Sequence, residues 1–284
     1  MPIPGDDPPA FSMADSYRTM RNDFRRARRL SDVPVERARI LAAGLELRFH
    51  PRSAASPLCL NLKLGARPAP YWLFDRAHLW NLDEVWVARE YDHLARGDFD
   101  LVLDLGANVG AASIWLHEHH PEAQIVAVEP DPRTSPLLRR NTECFSRITV
   151  VEAAVGVENG TAQLRADAFS WGSRIADADI LAPDVDGRAA ETWTVKVITI
   201  PSLLRDAGVS PSAQVLAKID IEGSEWSLLR TPSALGWLSE VYGETHRFGA
   251  PVDSTRFFAD ASRAAGFEAL PAPPTFFHWR RRSG

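Results

Sequence analysis

The sequence has few cysteines and no long apolar run. Its 2 cysteines, Cys59 and Cys144, form no CxxC pair, which excludes a zinc ribbon and a disulfide framework. The most apolar region, around residues 101–116, is interrupted by Asp104, so no membrane span is predicted. The first residues have neither the basic nor the apolar region of a secretory signal. We therefore expect a cytoplasmic protein.

An excess of positive charge is also missing. The chain of 284 residues has 32 Lys+Arg against 37 Asp+Glu, a formal net charge of −5. Such a chain has no overall positive field to hold a polyphosphate backbone, so nucleic acid is not an expected partner. The content of 45% hydrophobic and 24% charged residues is typical of a globular protein.

The pattern along the chain predicts three regions. Residues 1–14 are rich in Pro and Asp and are expected to be flexible, residues 15–98 form an N-terminal extension with helices and strands, and residues 99–284 form the main domain. Within the extension, residues 15–30 have the spacing of an amphipathic helix with a basic face. Residues 45–50 and 58–64 alternate apolar and polar side chains, which predicts a short strand pair. The apolar residues near the N-terminus are compatible with a homodimer.

An aromatic cluster ends the extension; its members are Tyr71, Trp72, Phe74, Trp80 and Trp86. Two interpretations are open. The rings pack the extension onto the main domain, since aromatic side chains have a large apolar area, or some of them line a substrate cleft as a lid.

From residue 99 onward, apolar strands alternate with helices. The predicted strands are 101–103, 125–128, 149–155, 195–200, 215–221, 241–245, 267–270 and 275–279. This alternation predicts an α/β fold with a mostly parallel sheet covered by helices on both faces. Ligands of such sheets bind beyond the carboxyl ends of the strands.

The first of these strands leads into the motif DLGANVG, which is followed by a helix. Gly106 permits a tight turn, Asn108 tolerates a positive φ, and Gly110 permits close packing of helix and strand. A dinucleotide fingerprint also needs glycine at positions 108 and 111, where this chain has Asn and Ala, so an NAD oxidoreductase is disfavoured. The Asp104 carboxylate would repel a pyrophosphate and attract a cation, which favours S-adenosylmethionine and its sulfonium.

The next two strands end in acidic residues. Glu129, in the motif AVEPDP, is placed to accept hydrogen bonds from both hydroxyls of a ribose. Glu152 ends the third strand, where it either accepts a hydrogen bond from the adenine amino group or is a surface glutamate.

Together with KIDIEGSE at residues 218–225, followed by Trp226 and Leu228, these motifs resemble those of the FkbM family of S-adenosylmethionine-dependent methyltransferases. The resemblance includes Glu90-Tyr91. It implies a class I Rossmann-like domain with a seven-stranded sheet, which transfers a methyl group to a hydroxyl of a small natural product, sugar or glycan. The residues expected to bind the cofactor are Asp104, Gly106, Ala107, Asn108, Gly110, Glu129, Pro130, Glu152, Ala153, Asp220 and Tyr91.

The fourth and fifth strands of such a sheet are neighbours, so their ends would face one cleft. The candidate catalytic residues there are Lys218, Asp220, Glu244 and His246. Buried charges are costly unless they are paired, so ionisable residues on central strands indicate a site. His246 is the candidate general base because the ordinary pKa of histidine is near neutral. Two alternatives are that Asp220 orients the hydroxyl, and that Asp220, Glu244 and His246 bind Mg²⁺ or Mn²⁺.

The sequence therefore predicts an S-adenosylmethionine-dependent O-methyltransferase acting on a small hydroxylated acceptor. An inactive nucleotide-binding or interaction protein on the same fold is the alternative.

Overall fold

A computed structural model describes residues 13–50, 52–165, 174–175, 191–222, 224–246, 254–273 and 275–282. Its helices are α1 (Met13–Leu30), α2 (Pro34–Phe49), α3 (Arg76–Leu82), α4 (Ala111–His119), α5 (Ser135–Thr142), α6 (Ile200–Asp206), α7 (Glu225–Leu229) and α8 (Ser254–Ala264). Its strands are β1 (Leu58–Leu62), β2 (Ala69–Leu73), β3 (Leu101–Leu105), β4 (Gln124–Val128), β5 (Ile148–Val151), β6 (Ala154–Val155), β7 (Gly160–Arg165), β8 (Arg174–Ile175), β9 (Thr192–Ile198), β10 (Val215–Ile219), β11 (Glu240–Glu244), β12 (Phe267–Leu270) and β13 (Phe276–Arg281). A π-helical turn, Asp83–Val87, continues α3.

The main sheet has seven strands in the order β12-β13-β11-β10-β3-β4-β5. Strand β13 is antiparallel to both of its neighbours, and the other paired strands run parallel. This confirms the predicted α/β fold, a mostly parallel, Rossmann-like sheet of seven strands. Apart from Asp104 and Lys218, the central strands β3 and β10 consist of apolar residues, because helices bury both of their faces. All five residues of β3 and of β10 are buried.

Alternate residues of β3 point into two different cores. Leu101, Leu103 and Leu105 pack with residues of α6, α7 and β12, while Val102 packs on the opposite face with α4 and with the N-terminal extension. The buried Leu60, Leu62, Tyr71 and Leu73 of β1 and β2 belong to the same cluster as Val102. The extension therefore supplies part of the hydrophobic layer that covers one face of the sheet.

The side chain of Asn141 in α5 is hydrogen-bonded to the extension. The Asn141 side chain, which is 2% exposed, accepts from the Trp72 backbone N–H at 2.6 Å and donates to the Trp72 carbonyl at 2.9 Å. It also donates to the carbonyl of Val109 at 2.8 Å. Strand β2 is thereby fixed to the loop that precedes α4.

Two strand predictions were wrong. Residues 45–50 are not a strand; most of them form the end of α2, where Ile40, Ala43 and Leu47 are buried at helical spacing, and the strand pair is instead β1 with β2. The apolar pattern of residues 45–50 is too short to distinguish the two-residue period of a strand from the 3.6-residue period of a helix, and packing against α1 favours the helix. Residues 149–155 form two strands, because β6 leaves the main sheet and pairs with β9 in a four-stranded sheet of order β6-β9-β7-β8. Within the described residues, every helix is too short or too polar to cross a membrane.

Candidate active site

A cavity of about 310 Å³ lies at the carboxyl ends of β3, β4 and β10. This size is at the lower end of the range of small-molecule sites. Its lining comes mainly from residues at the ends of parallel strands and from α3, with single residues of β7 and of the π-helical turn. The lining residues are Ala77, Trp80, Asn81, Glu84, Gly106, Asn108, Val128, Glu129, Pro130, Ala153, Ala154, Val155, Leu164, Asp220, Ile221, Glu222, Ser224, Glu244 and His246.

The loop after β3 has the backbone that its sequence predicts. Gly106 has φ +81°, and a Cβ at this position would lie 1.7 Å from the Asp220 carbonyl oxygen. Asn108 has φ +50°, a conformation that asparagine adopts more readily than most residues. Glycine is therefore needed at position 106 because the loops after β3 and β10 touch there.

Glu129 is the main charged side chain in the part of the cavity next to the loop after β3. It is 7% exposed; one carboxylate oxygen accepts from the Asn108 backbone N–H and the other from the Asp131 backbone N–H, each at 2.8 Å. Burial raises the pKa of Glu129 to about 7, against the effect of these two bonds. The Thr134 side chain is a third hydrogen-bond partner of this carboxylate. Since a carboxylate has about four acceptor positions, Glu129 can accept one further hydrogen bond from a ligand hydroxyl.

These groups fit an adenosine-type cofactor. Asn108 lines the cavity, and its buried side-chain oxygen has no hydrogen-bond partner among the described residues. An apolar wall for a flat ring is formed by Val128, Ala153, Ala154, Val155 and Leu164. Hydrogen-bond acceptors beside an apolar slot match a ribose next to an adenine.

Two predicted residues, Asp104 and Lys218, lie beneath the cavity floor and do not line it. The Lys218 ammonium is 3.1 Å from Asp104 Oδ1 and 3.4 Å from Asp220 Oδ2, and it donates to the Gly106 carbonyl at 3.0 Å. The second Asp104 oxygen accepts from the Ser113 hydroxyl at 2.6 Å. Burial opposes the charge on Lys218, but the two aspartates outweigh it and raise the lysine pKa.

Four further predicted cofactor residues also lie outside the lining. Tyr91 is 6% exposed and packs between the rings of Trp115 and Tyr242. Glu152 is exposed and pairs with Arg139 at 2.8 Å. Ala107 and Gly110 are buried in the turn that leads into α4.

The other part of the cavity is lined by ionisable side chains. His246 Nε2 lies 3.7 Å from Asp220 Oδ1 and 3.5 Å from Glu222 Oε1. On the other side of the ring, Nδ1 lies 3.2 Å from Glu225 Oε1. Asp220, Glu222 and His246 therefore meet at one point, as the neighbouring ends of β10 and β11 predict. Glu244 also lines the cavity.

Burial and mutual charge interactions strongly shift the pKa values of His246, Glu222 and Glu244. Burial alone would lower the pKa of His246, but its bond to Glu225 and the charges of Glu222 and Asp220 raise it to about 9. Burial and repulsion from Asp220 raise the pKa of Glu222 to about 8, although His246 acts in the opposite direction. The same two causes, burial and Asp220, raise the pKa of Glu244. Shifts of this kind are typical of functional sites.

Glu222, which the sequence places at the same strand end as Asp220 but without a predicted catalytic, cofactor or metal role, has a backbone φ of +49°. This conformation costs a non-glycine residue about 1–2 kcal/mol, and such strain is found most often at functional sites. Asp220, Glu222 and His246 each offer one atom within 4.8 Å of the others, an arrangement that could hold a divalent ion. Glu222, and not the predicted Glu244, completes this trio.

The extension contributes Trp80, Asn81 and Glu84 to the cavity wall. Of the aromatic cluster, Trp80 lines the cavity, whereas Tyr71 is buried in the core and the Trp86 indole donates to the Ala111 carbonyl at 3.2 Å. The packing interpretation therefore holds for Tyr71 and Trp86, whereas Trp80 is placed at the cavity. The spacing of these residues in the sequence contains no signal that separates them.

Curated relatives match about half of this chain. It is 26% identical over 174 residues to 31-O-demethyl-FK506 methyltransferase FkbM of Streptomyces tacrolimicus, covering 52% of this chain and 65% of that protein. It is also 26% identical over 160 residues to Methyltransferase 1 of Beauveria bassiana (strain ARSEF 2860), covering 52% of this chain and 64% of that protein. The chain thus spans a little under two thirds of the length of these relatives.

Among solved structures, precorrin-6y C5,15-methyltransferase of Geobacter metallireducens GS-15 is similar with a TM-score of 0.37 and 17% identity. The alignment covers 65% of this chain and 72% of that one. The family model of the methyltransferase FkbM domain matches residues 104–269, more than half of the chain. This range begins at the Asp104 of the first motif and includes both parts of the cavity. The chain belongs to the FkbM methyltransferase family.

Proposed function

We propose that this protein transfers a methyl group from S-adenosylmethionine to a hydroxyl oxygen of a small natural product or sugar. The observation that carries the proposal is a single cavity with two kinds of wall. One wall, around Glu129, fits an adenosine; the other holds Asp220, Glu222 and His246. Membership in the FkbM family supports methyl transfer.

The cofactor, when bound, supplies a methyl group on a positively charged sulfonium. Glu129 and Asn108 would hold its ribose, and the apolar wall that includes Val155 would pack against the adenine. The sulfonium activates the methyl carbon already, so the chain's own task is to align the acceptor oxygen and to receive its proton. Asp220 lines the cavity beside His246 and orients the acceptor.

His246 receives the proton at Nε2 in its neutral form, which becomes the major form only above about pH 9 because, against the effect of burial, Glu225, Glu222 and Asp220 raise its pKa to about 9. This nitrogen faces the cavity and lies 3.5 Å or more from the two carboxylates beside it, longer than a good hydrogen bond. It is therefore available to a hydroxyl group. With the cofactor bound, the acceptor oxygen would bond to the methyl carbon as the carbon–sulfur bond breaks, which would leave S-adenosylhomocysteine, and the imidazole would take the proton of the acceptor hydroxyl.

A hydroxyl acceptor is supported by the relative from Streptomyces tacrolimicus, whose name states that it methylates a 31-O-demethyl compound. The extension then forms the acceptor side of the cavity, with Trp80, Asn81 and Glu84 in contact with the acceptor as a substrate lid.

The test is transfer of label from methyl-labelled S-adenosylmethionine to a panel of hydroxylated sugars and natural products. We expect His246→Ala to lower turnover about 100-fold or more, because a general base contributes about this much, while the Kd of S-adenosylhomocysteine stays unchanged. His50→Ala is the matched control, since His50 is exposed and lies outside the cavity.

The possible results distinguish the general-base mechanism, the metal-dependent mechanism and the inactive binding protein. Turnover that survives a chelator supports His246 as the base, whereas turnover that needs added Mg²⁺ or Mn²⁺ supports metal binding by Asp220, Glu222 and His246. Binding of S-adenosylhomocysteine without transfer to any acceptor would favour the inactive binding protein. Label found on nitrogen would contradict a hydroxyl acceptor.

A further inference from the structure

His246 lies after the end of β11, beyond the residues that strand pairing holds. Its position is set by the first residues of α7. Glu225 Oε1 accepts from the His246 backbone N–H at 2.7 Å, and the Trp226 indole N–H donates to the His246 carbonyl at 2.9 Å. The same Glu225 oxygen lies 3.2 Å from His246 Nδ1. One buried side chain thus holds both the backbone and the ring of His246.

Glu225 is 0% exposed and is not part of the cavity lining. A carboxylate can only accept hydrogen bonds, so the hydrogen between the two groups is carried by Nδ1 of the imidazole. A neutral imidazole with its hydrogen on Nδ1 has its free lone pair on Nε2. Nε2 is the nitrogen that faces Asp220 and Glu222 in the cavity.

We propose that Glu225 is a positioning residue for His246: it keeps the hydrogen on Nδ1 and so presents the lone pair of Nε2 to the acceptor hydroxyl. Glu225 itself touches neither acceptor nor cofactor, and no bond to it forms or breaks in the reaction. The inference rests on the proposed function, in which His246 Nε2 receives the proton of the acceptor.

The substitution Glu225→Gln keeps the size of the side chain and removes its charge. The amide oxygen can still accept from the His246 backbone, but the amide can also turn and donate to the ring, which favours the other tautomer. The chain offers a matched control in Glu240, which is 5% exposed and bonds to His278 Nε2 at 2.6 Å, outside the cavity. Glu240→Gln therefore alters a buried glutamate–histidine pair that plays no part in the reaction.

Two readouts are measured on the full chain. One is the low-field proton resonance of an imidazole N–H bonded to a carboxylate, assigned by its loss in His246→Ala; the other is steady-state methyl transfer. We expect Glu225→Gln to lose the resonance of His246 and to lower kcat by about 10-fold to 100-fold, with the KM for S-adenosylmethionine unchanged. Glu240→Gln loses only the resonance of His278 and keeps its kcat.

Glu225→Gln with kcat within about twofold of wild type and the His246 resonance lost would overturn the inference. So would a wild-type protein without that resonance, whatever its activity. Equal losses of kcat in both variants would also overturn it, because they would indicate a general effect of removing a buried charge. Failure of the proposed function is recognised separately: the wild-type chain then transfers no methyl group, while the resonance of His246 is present and sensitive to Glu225→Gln.

Discussion

Lys218 is the residue whose removal tests the electrostatics of the site most directly. Its side chain is 4% exposed, and its two carboxylate partners, Asp104 and Asp220, are 0% and 23% exposed. At an effective dielectric constant of about 20, two unit charges about 3 Å apart attract each other by about 5 kcal/mol. Replacement of Lys218 by methionine keeps most of the side-chain volume but leaves the buried Asp104 carboxylate without its ammonium partner.

We expect Lys218→Met to lower the free energy of unfolding by about 3–5 kcal/mol, the usual cost of removing one member of a buried ion pair. Urea unfolding followed by tryptophan fluorescence measures this, since the chain has 9 Trp. Adding Asp104→Asn to the variant removes the unpaired charge and keeps an acceptor for the Ser113 hydroxyl. The double variant should therefore regain most of the lost stability.

The two variants together decide whether the pairing explanation is right. A loss below about 1 kcal/mol in Lys218→Met would mean that solvent reaches Asp104 and that the ion pair contributes as little as a surface pair. A double variant no more stable than the single one would mean that lost packing, and not the unpaired carboxylate, causes the destabilisation.

Three further predictions concern the cavity and its surroundings. Gly106→Ala should abolish binding of S-adenosylhomocysteine in calorimetric titration, because its Cβ would lie 1.7 Å from a carbonyl oxygen; Gly208→Ala, with φ +66° and no atom within 4 Å, should cost only about 1–2 kcal/mol of stability. The Kd of S-adenosylhomocysteine should rise as pH falls from 8 to 6, because the proposed ribose contact needs the ionised Glu129 carboxylate and burial raises its pKa to about 7. Glu129→Gln should remove this pH dependence. Asn141→Leu should speed amide hydrogen exchange in residues 58–73, because the tie between β2 and the loop before α4 is lost.

The opposite outcomes are equally specific. Tight binding by Gly106→Ala would mean that the loops after β3 and β10 separate easily. A Kd that is constant from pH 6 to 8 in the wild-type protein would argue against a ribose bond to the Glu129 carboxylate. Unchanged exchange in Asn141→Leu would assign the docking of the extension to its apolar contacts alone.

Much of the main domain could be predicted because its signals are local. Strands buried on both faces are continuous apolar runs, and the alternation with helices implies parallel strands whose ends meet at one edge. The positive φ of Gly106 and Asn108 and the buried position of Glu129 follow from residues within the two motifs. The alternation at residues 45–50 was too short to separate a strand from the end of α2, so packing decided it.

From the sequence one can therefore predict the sheet, the edge at which the cavity lies and the acidic residue, Glu129, that follows β4 in its wall. The arrangement of the charged side chains at that edge depends on tertiary packing. Lys218 was predicted to act in catalysis, yet it lies beneath the floor, because Asp104 on the neighbouring strand is paired with it in register. Glu222 reaches His246 through a left-handed backbone conformation, and Glu225 reaches it because α7 packs beneath the loop after β11. Contacts between residues far apart in the chain depend on how elements pack, and no local pattern of residues encodes that packing.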